Sequence, residues 1–477
     1  MSEAFDAIIV GSGFGGSFAA DRLVAAGLRV ALIERGPWRD TAPVRAAGIA
    51  QRSPLPRGRH ALTHLLRRIN APFLPRGGIA ANAHGLFDIH LSRDMTVVAG
   101  SGVGGGSHVY TAMNMKAAVD GYWANRADGI DPATMDAHYD AAIARMGARV
   151  APPGTPNRTV DRYAGHARLT AELEQPAMSY DFENGAHRDN AFLGSADGGK
   201  VTLDALLLAP VLQRGLTVLD LHEALAIGRS GTDGWYVTLR NHRDGSYRHL
   251  AAPKLLLAAG TLNTLQLLFE NRARGALGAM SALGLGFGGN GDSIGWWACN
   301  DAGADYSLGA PCHGRLAVRG AEDGPYLMSF GLNGIDALPL PRALRTRLKR
   351  DQVLVGMGAD EANGLAQWRN GRLAFRYSAA ANPVLARLQQ AFAQVAQVSG
   401  KPVRSLANFP VTVHPLGGAR VDENPARGVV NGRGEAHGLP GLYVADASAL
   451  PGAPGAPPSM SIAAWALHVA DGIARRG

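Results

Sequence analysis

The sequence predicts an α/β fold whose parallel sheet draws strands from both ends of the chain. Three observations predict it: an apolar run at 7–10 that enters a glycine turn, a second at 255–259 that ends in another turn, and a third at 442–445 that ends at an aspartate. Apolar runs without alternation, bounded by glycines, are the mark of strands buried on both faces of a parallel sheet. At 477 residues, with 46% hydrophobic and 18% charged residues, the chain has the size for two domains and the apolar content to fold them.

In order, Asp6-Ala7-Ile8-Ile9-Val10 reads as the first strand. The turn Gly11-Ser12-Gly13-Phe14-Gly15-Gly16 follows, then a helix to roughly Ala26 and a second strand, Arg29-Val30-Ala31-Leu32-Ile33, that ends at Glu34. Gly11 permits the turn, Gly13 lets backbone approach a diphosphate, and Gly16 lets the helix pack closely on the strand. A diphosphate belongs at that helix N-terminus, where unpaired N–H groups and the helix dipole favour negative charge. Glu34 suits a bidentate bond to a ribose diol. The pattern points to a dinucleotide and leaves NAD and FAD both open.

A second cluster, Gly100-Ser101-Gly102-Val103-Gly104-Gly105-Gly106-Ser107, follows the strand-like Met95-Thr96-Val97-Val98. Backbone so rich in glycine is expected to lie flat against a planar ring or a phosphate. Lys254-Leu255-Leu256-Leu257-Ala258-Ala259-Gly260-Thr261 is expected to be a buried strand and turn before a helix from Leu262 to Phe269. Gly441-Leu442-Tyr443-Val444-Ala445-Asp446 completes the set, with Asp446 placed to accept hydrogen bonds from a ribityl chain.

Cys299 and Cys312 are the two cysteines, which excludes a disulfide framework and a cysteine-rich metal site. The first residues show no basic stretch followed by an apolar run, and no run reaches membrane-spanning length, so the expected location is the cytoplasm. The net charge is +8, and the basic excess is densest between Val44 and Asp94, where Arg45, Arg52, Arg57, Arg59, Arg67, Arg68, Arg76 and Arg93 face Asp88 and Asp94. No nucleic-acid motif accompanies it, so no nucleic-acid partner is expected. The expectation is a solvated loop. Contact with a membrane surface or a partner is the alternative, because Leu62, Leu65, Leu66 and Ile69 recur at helical spacing beside Arg67 and Arg68.

In their order and spacing, these blocks resemble the glucose-methanol-choline oxidoreductases, and among them the cholesterol-oxidase-like branch. The resemblance rests on Gly11 to Gly16 with Glu34, Asp94 to Ser107, Leu255 to Thr264, Gly289-Asn290-Gly291-Asp292, His414-Pro415-Leu416-Gly417-Gly418, and Leu442 to Ile462. It implies a Rossmann-type FAD-binding domain from residues 1–114, 196–284 and 411–477. It also implies an inserted α+β substrate-binding domain, mostly antiparallel sheet, from residues 115–195 and 285–410. FAD is the implied cofactor. The implied contacts are Gly11, Ser12, Gly13, Phe14, Gly15, Gly16, Glu34, Arg35, Gly100, Gly102, Gly105, Gly106, Ser107, Ala259, Gly260, Asp446 and Pro458. The histidine that carries flavin covalently in some relatives falls at Val109, one position after His108, so the flavin is expected to be non-covalent.

Oxidising an alcohol requires a group to take the hydroxyl proton while hydride leaves the carbon, and imidazole suits this because its pKa lies near operating pH. His414 is the candidate; Pro415 stiffens its backbone, and Gly417 and Gly418 are expected to permit close approach to a flat ligand. The polar residue that shares the substrate oxygen in the family aligns with Pro457, which offers no side-chain hydrogen bond. Ser459 and His108 are the candidate substitutes. Asp360 and Glu361 are expected in a surface turn, and His437 and His468 as structural or exposed. The expected function is FAD-dependent oxidation of a hydrophobic, cyclic or sterol-like alcohol, with dioxygen or another compound as electron acceptor. The alternative is a non-redox or atypical flavin enzyme on the same scaffold, of lyase, hydratase or photodecarboxylase type. No metal site is expected.

Overall fold

A computed structural model describes residues 4–171, 175–189, 192–231, 234–321, 324–406 and 409–475; residues 1–3 of the N-terminal stretch considered above lie outside them. The strand Ala7–Val10 is buried throughout and pairs in parallel with Val30–Ile33 on one side and Lys254–Leu257 on the other. Leu442–Val444 adds beyond Lys254–Leu257, and Leu216–Leu219 beyond Val30–Ile33, so the five parallel strands come from both ends of the chain. The helix Phe14–Ala25 lies against the C-terminal helix Ser459–Ala474. A Cβ on Gly15 would stand 1.8 Å from the Ala445 carbonyl oxygen, and one on Gly16 1.8 Å from that of Gly11, so this close approach requires glycine at both.

Residues 285–410 supply most of a six-stranded antiparallel sheet: Val403–Ser405, Ser293–Trp297, Gln352–Met357, Tyr326–Phe330 and Gly314–Val318, with Leu169–Ala171 at the edge. The helix Pro383–Ser399 buries Val384, Leu385, Leu388, Phe392 and Val395, a helical stripe, against this layer. The helix Pro132–Arg145 does not join it. Its buried Met135, Tyr139 and Ala142 go with packing on Ser459–Ala474, and the Tyr139 hydroxyl lies 2.6 Å from that of Ser461. That part of 115–195 therefore sits with the parallel sheet.

The arginine-rich segment is solvated only in part, since Arg45, Arg59, Arg76 and Arg93 are exposed while Arg67 is buried, and its leucines do not lie on a helix. Leu66–Asn70, Ile79–Ala80 and Phe87–Leu91 are strands of a second five-stranded sheet, which Thr96–Gly100 and Val411–Thr412 complete. Arg67 is 3% exposed, 3.3 Å from the Asp88 carboxylate and 3.8 Å from that of Glu223. Arg57 donates to the carbonyls of Asp189 and Gly194 at 2.9 and 2.7 Å. Pairing with Phe87–Leu91 overrides the helical spacing of the leucines, and partners far along the chain neutralise Arg57, Arg67 and Arg68. Among the described residues no helix is long and apolar enough to cross a membrane.

Candidate active site

The two glycine turns meet at the carboxyl end of the parallel sheet. Ser12 joins them: its hydroxyl donates to Glu34 at 2.7 Å and accepts the Gly104 N–H at 3.1 Å, and its own N–H reaches Glu34 at 3.2 Å. The other Glu34 oxygen accepts the Gly36 N–H at 2.8 Å. A Cβ on Gly105 would lie 2.5 Å from Gly13 Cα, whereas a Cβ on Gly13, Gly106 or Gly260 would meet no atom within 4 Å. Bare backbone thus borders open space at the N-terminus of Phe14–Ala25, with a carboxylate at the tip of the second strand. These residues fit a dinucleotide, its diphosphate at the helix terminus and a ribose at Glu34.

Much of the second cluster has its Cβ side against protein. A Cβ on Gly100 would meet Val109 at 3.0 Å, on Gly102 the Arg39 guanidinium at 2.9 Å, and on Gly104 the backbone of Asp204 at 3.0 Å. Ser107 accepts the Leu203 N–H at 3.0 Å and donates to the Gly104 carbonyl at 2.8 Å. Phe14 is buried against Tyr110, ring centroids 5.5 Å apart. Arg35 donates to Asn263 at 2.8 Å and pairs with buried Asp88; burial raises the Asp88 pKa, but Arg35 and Arg67 together bring it below the usual carboxylate range. The Ala259 carbonyl accepts from Asn263 at 2.9 Å, and Pro458 is buried at the start of the last helix. Asp446 is saturated from within. It accepts from Ser448 N–H and Gly260 N–H, both at 2.9 Å, and from the hydroxyls of Ser448 and Thr264, both at 2.5 Å. Its carboxylate locks two strand ends together and does not stand free for a ribityl chain.

His414 follows the short strand Val411–Thr412, which pairs with Thr96 and Val97. Its Nδ1 lies 2.9 Å from the carboxylate of Asp292, a residue 2% exposed. The same carboxylate accepts the Thr412 hydroxyl at 2.8 Å and the Val413 N–H at 3.1 Å, and Thr412 in turn accepts the His414 N–H at 2.8 Å. A carboxylate has no proton to give, so Nδ1 is the donor and Nε2 keeps its lone pair. Two residues upstream of Asp292, Asn290 binds the loop that carries Pro457: its amide donates to the Ala456 carbonyl and accepts the Gly455 N–H, each at 3.0 Å. One short loop, 289–292, therefore sets both His414 and the Pro457 segment.

The same topology, a parallel sheet from both termini beside antiparallel sheets, appears in solved structures. A pyridoxine 4-oxidase from Mesorbium loti aligns over 98% of both chains with a TM-score of 0.64 and 17% identity. A fungal aryl-alcohol oxidase aligns over 100% of both with a TM-score of 0.60 and 15% identity. These show the fold. Two sequence patterns of the GMC oxidoreductases match this chain, one over residues 5–285 and the other over residues 360–466. The chain belongs to the GMC oxidoreductase family. This GMC oxidoreductase, an FAD-dependent enzyme by family, is similar over its whole length to curated cholesterol oxidases. One, from Mycobacterium tuberculosis (strain ATCC 25618 / H37Rv), is 26% identical over 99% of this chain and 91% of its own. Another, from Acinetobacter baumannii, is 24% identical over 97% of this chain and 93% of its own.

Several expectations for this GMC oxidoreductase change with the geometry. Asp360 is not in a surface turn. It is 6% exposed and accepts the N–H groups of Gly289 and Gly291 at 2.8 and 3.3 Å and the Tyr377 hydroxyl at 2.9 Å, so it clamps the loop behind His414. Burial pushes its carboxyl pKa up against those donors. Gly417 and Gly418 are packed by protein: a Cβ would meet the Gly286 carbonyl oxygen at 1.9 Å and Leu265 at 2.7 Å. His108 is fully buried, with Nε2 2.7 Å from the Val103 carbonyl and 3.5 Å from Asp204, and burial pulls its pKa down. Ser459 points its hydroxyl at the Met113 carbonyl, 3.4 Å away. Among the described residues Asp292 is the side chain bonded to the His414 ring, and neither His108 nor Ser459 reaches it. His437 and His468 bind the carbonyls of Asp422 and Gly432.

Proposed function

We propose that this GMC oxidoreductase oxidises an alcohol carbon to a carbonyl, with His414 Nε2 taking the hydroxyl proton and FAD held without a covalent bond. The single observation behind this reading is the 2.9 Å contact of His414 Nδ1 with buried Asp292. Asp292 selects the tautomer whose Nε2 is a base, and its charge steadies the imidazolium formed when that base is used. FAD, when bound, accepts the hydride. Thr412 and Val413 hold the carboxylate on its other side, so the imidazole keeps its direction through the reaction. Gly11, Gly13, Gly16, Glu34, Gly105, Gly106 and Gly260 are proposed to border the dinucleotide, with Ser12, Ser107 and Asp446 holding the turns in place.

By the family resemblance a covalent flavin would attach at Val109, which carries no nucleophile. Acid precipitation is expected to leave the FAD in the supernatant, and a flavin-labelled pellet would contradict this. The domain division given above is kept as a proposal, with the helix Pro132–Arg145 moved to the FAD-binding part. The proposed substrate is a hydrophobic, cyclic alcohol, supported by full-length likeness to cholesterol oxidases.

Anaerobic mixing with sterols, cyclic alcohols and sugars tests the reading: a hydrophobic alcohol is expected to bleach the flavin. Bleaching by sugars alone would overturn the substrate class. Pro457 favours a second reading. Loss of one donor to a developing alkoxide costs about 3 kcal/mol of barrier, and His108 and Ser459 are engaged elsewhere. Product formed while the flavin stays oxidised would select the lyase, hydratase or photodecarboxylase type of chemistry.

A further inference from the structure

A polar cavity of about 210 Å³ opens among Asn125, Arg126, the segment Arg420, Val421, Asp422 and Arg427, and Pro451. Three arginines and one aspartate are among its lining residues, which leaves two positive charges unbalanced. Asp422 is already engaged by Arg427 at 3.1 Å and by the Asn424 N–H at 2.9 Å. Arg126 uses Nε on the Tyr122 carbonyl at 2.8 Å. Arg420 is partly buried and, among the described residues, its guanidinium makes no hydrogen bond or ion pair. Burial, opposed by Asp422 and reinforced by the like charge of Arg126, pushes the Arg420 pKa down. Guanidiniums that repel one another around a polar cavity are stabilised by an oxyanion that their planar forks can grip.

We propose that this cavity binds a phosphate group, as inorganic phosphate or on a phosphomonoester, gripped by Arg126 and Arg420 with Arg427 at the rim. The two unbalanced charges match a phosphate group that is close to dianionic at neutral pH. None of the lining residues belongs to the dinucleotide cradle or to the His414 pair, so the proposal stands apart from the reaction assigned above. The site is still joined to the active-site loop. Tyr122, which Arg126 grips, donates its hydroxyl to the Gly452 carbonyl at 2.6 Å, and Pro451 forms part of the cavity wall. A bound phosphate therefore braces the start of the loop that carries Pro457.

The test is calorimetric titration of FAD-saturated protein, which keeps the dinucleotide cradle filled, in a phosphate-free, low-salt buffer. Inorganic phosphate and glycerol 3-phosphate are the probes. One phosphate group per chain is expected from at least one probe, and which probe binds identifies the source. Arg420→Gln is expected to weaken binding at least tenfold with FAD content unchanged. If Arg420→Gln does not fold, Arg427→Gln, whose side chain is 69% exposed, carries the test with a weakening of at least threefold. No binding of either probe at millimolar concentration overturns the proposal, as does binding that the folded variant leaves unchanged.

Discussion

Replacing Asp292 by asparagine perturbs the His414 pair while keeping its shape. The carboxylate accepts Nδ1–H at 2.9 Å, together with the Thr412 hydroxyl at 2.8 Å and the Val413 N–H at 3.1 Å. An amide oxygen can keep the Thr412 and Val413 bonds, which turns the amide NH2 toward Nδ1. A donor there selects the opposite tautomer and places the proton on Nε2, where the substrate hydroxyl must deliver its own. The imidazolium also loses its counter-charge, and a hydrogen bond to a charged group is worth about 1.5–3 kcal/mol. With the tautomer term the barrier rises by about 3–4 kcal/mol, which is roughly 10²- to 10³-fold in rate. Stopped-flow flavin absorbance, in single turnovers with an alcohol that bleaches the wild type, reads this directly. FAD content and Tm are the controls, and both are expected to hold. A reduction rate within threefold of wild type in folded, FAD-loaded Asp292→Asn would refute the reasoning.

Gly13→Ala meets no protein atom within 4 Å and is expected to leave the apoprotein Tm unchanged while weakening FAD binding, measured by fluorescence titration. Gly16→Ala places Cβ 1.8 Å from the Gly11 carbonyl and is expected not to yield folded protein; equal behaviour of the two would contradict the cradle. Asp360→Ala strands the N–H groups of Gly289 and Gly291 and the Tyr377 hydroxyl, at about 1–3 kcal/mol for each buried group. A Tm lowered by several degrees is expected, and an unchanged one would remove Asp360 from the loop clamp. Burial pushes His313 down to about 3 and His90 down to about 4 from 6.5. The unfolded chain therefore binds protons near pH 6.5 that the native protein refuses, and stability falls as pH drops from there toward 4. Each unit of depression counts about 1.4 kcal/mol; Tm measured from pH 7 to 4.5 is expected to decline, and less steeply in His313→Asn.

The parallel sheet and both glycine turns were legible because their signals are local. Strands such as Ala7–Val10 and Lys254–Leu257 are buried on both faces and read as unbroken apolar runs. The motif singles out His414 and Asp292 stands within a quoted block, but the contact that joins them, Asp292 with Nδ1, runs across the fold and has no local signal. What stayed hidden rests on long-range pairing. Arg67 looked solvated because its partner Glu223 belongs to a distant ribbon, and Leu65 and Leu66 looked helical because the pairing with Phe87–Leu91 leaves no local trace. Asp360 looked like a turn residue because its donors are backbone N–H groups of Gly289 and Gly291, which carry no side-chain signature. Gly417 illustrates the converse: the glycine was expected for a ligand, and the backbone of Gly286 is what needs the space.

The central claim is that His414 takes the substrate proton while the carbon's hydride leaves. It is tested most directly by anaerobic single-turnover reduction in wild type and His414→Ala, each loaded with FAD. The account predicts that an alcohol bleaches the wild-type flavin and that His414→Ala keeps its oxidised spectrum, with reduction slowed about 10²- to 10⁴-fold. Bleaching of His414→Ala at the wild-type rate would contradict it.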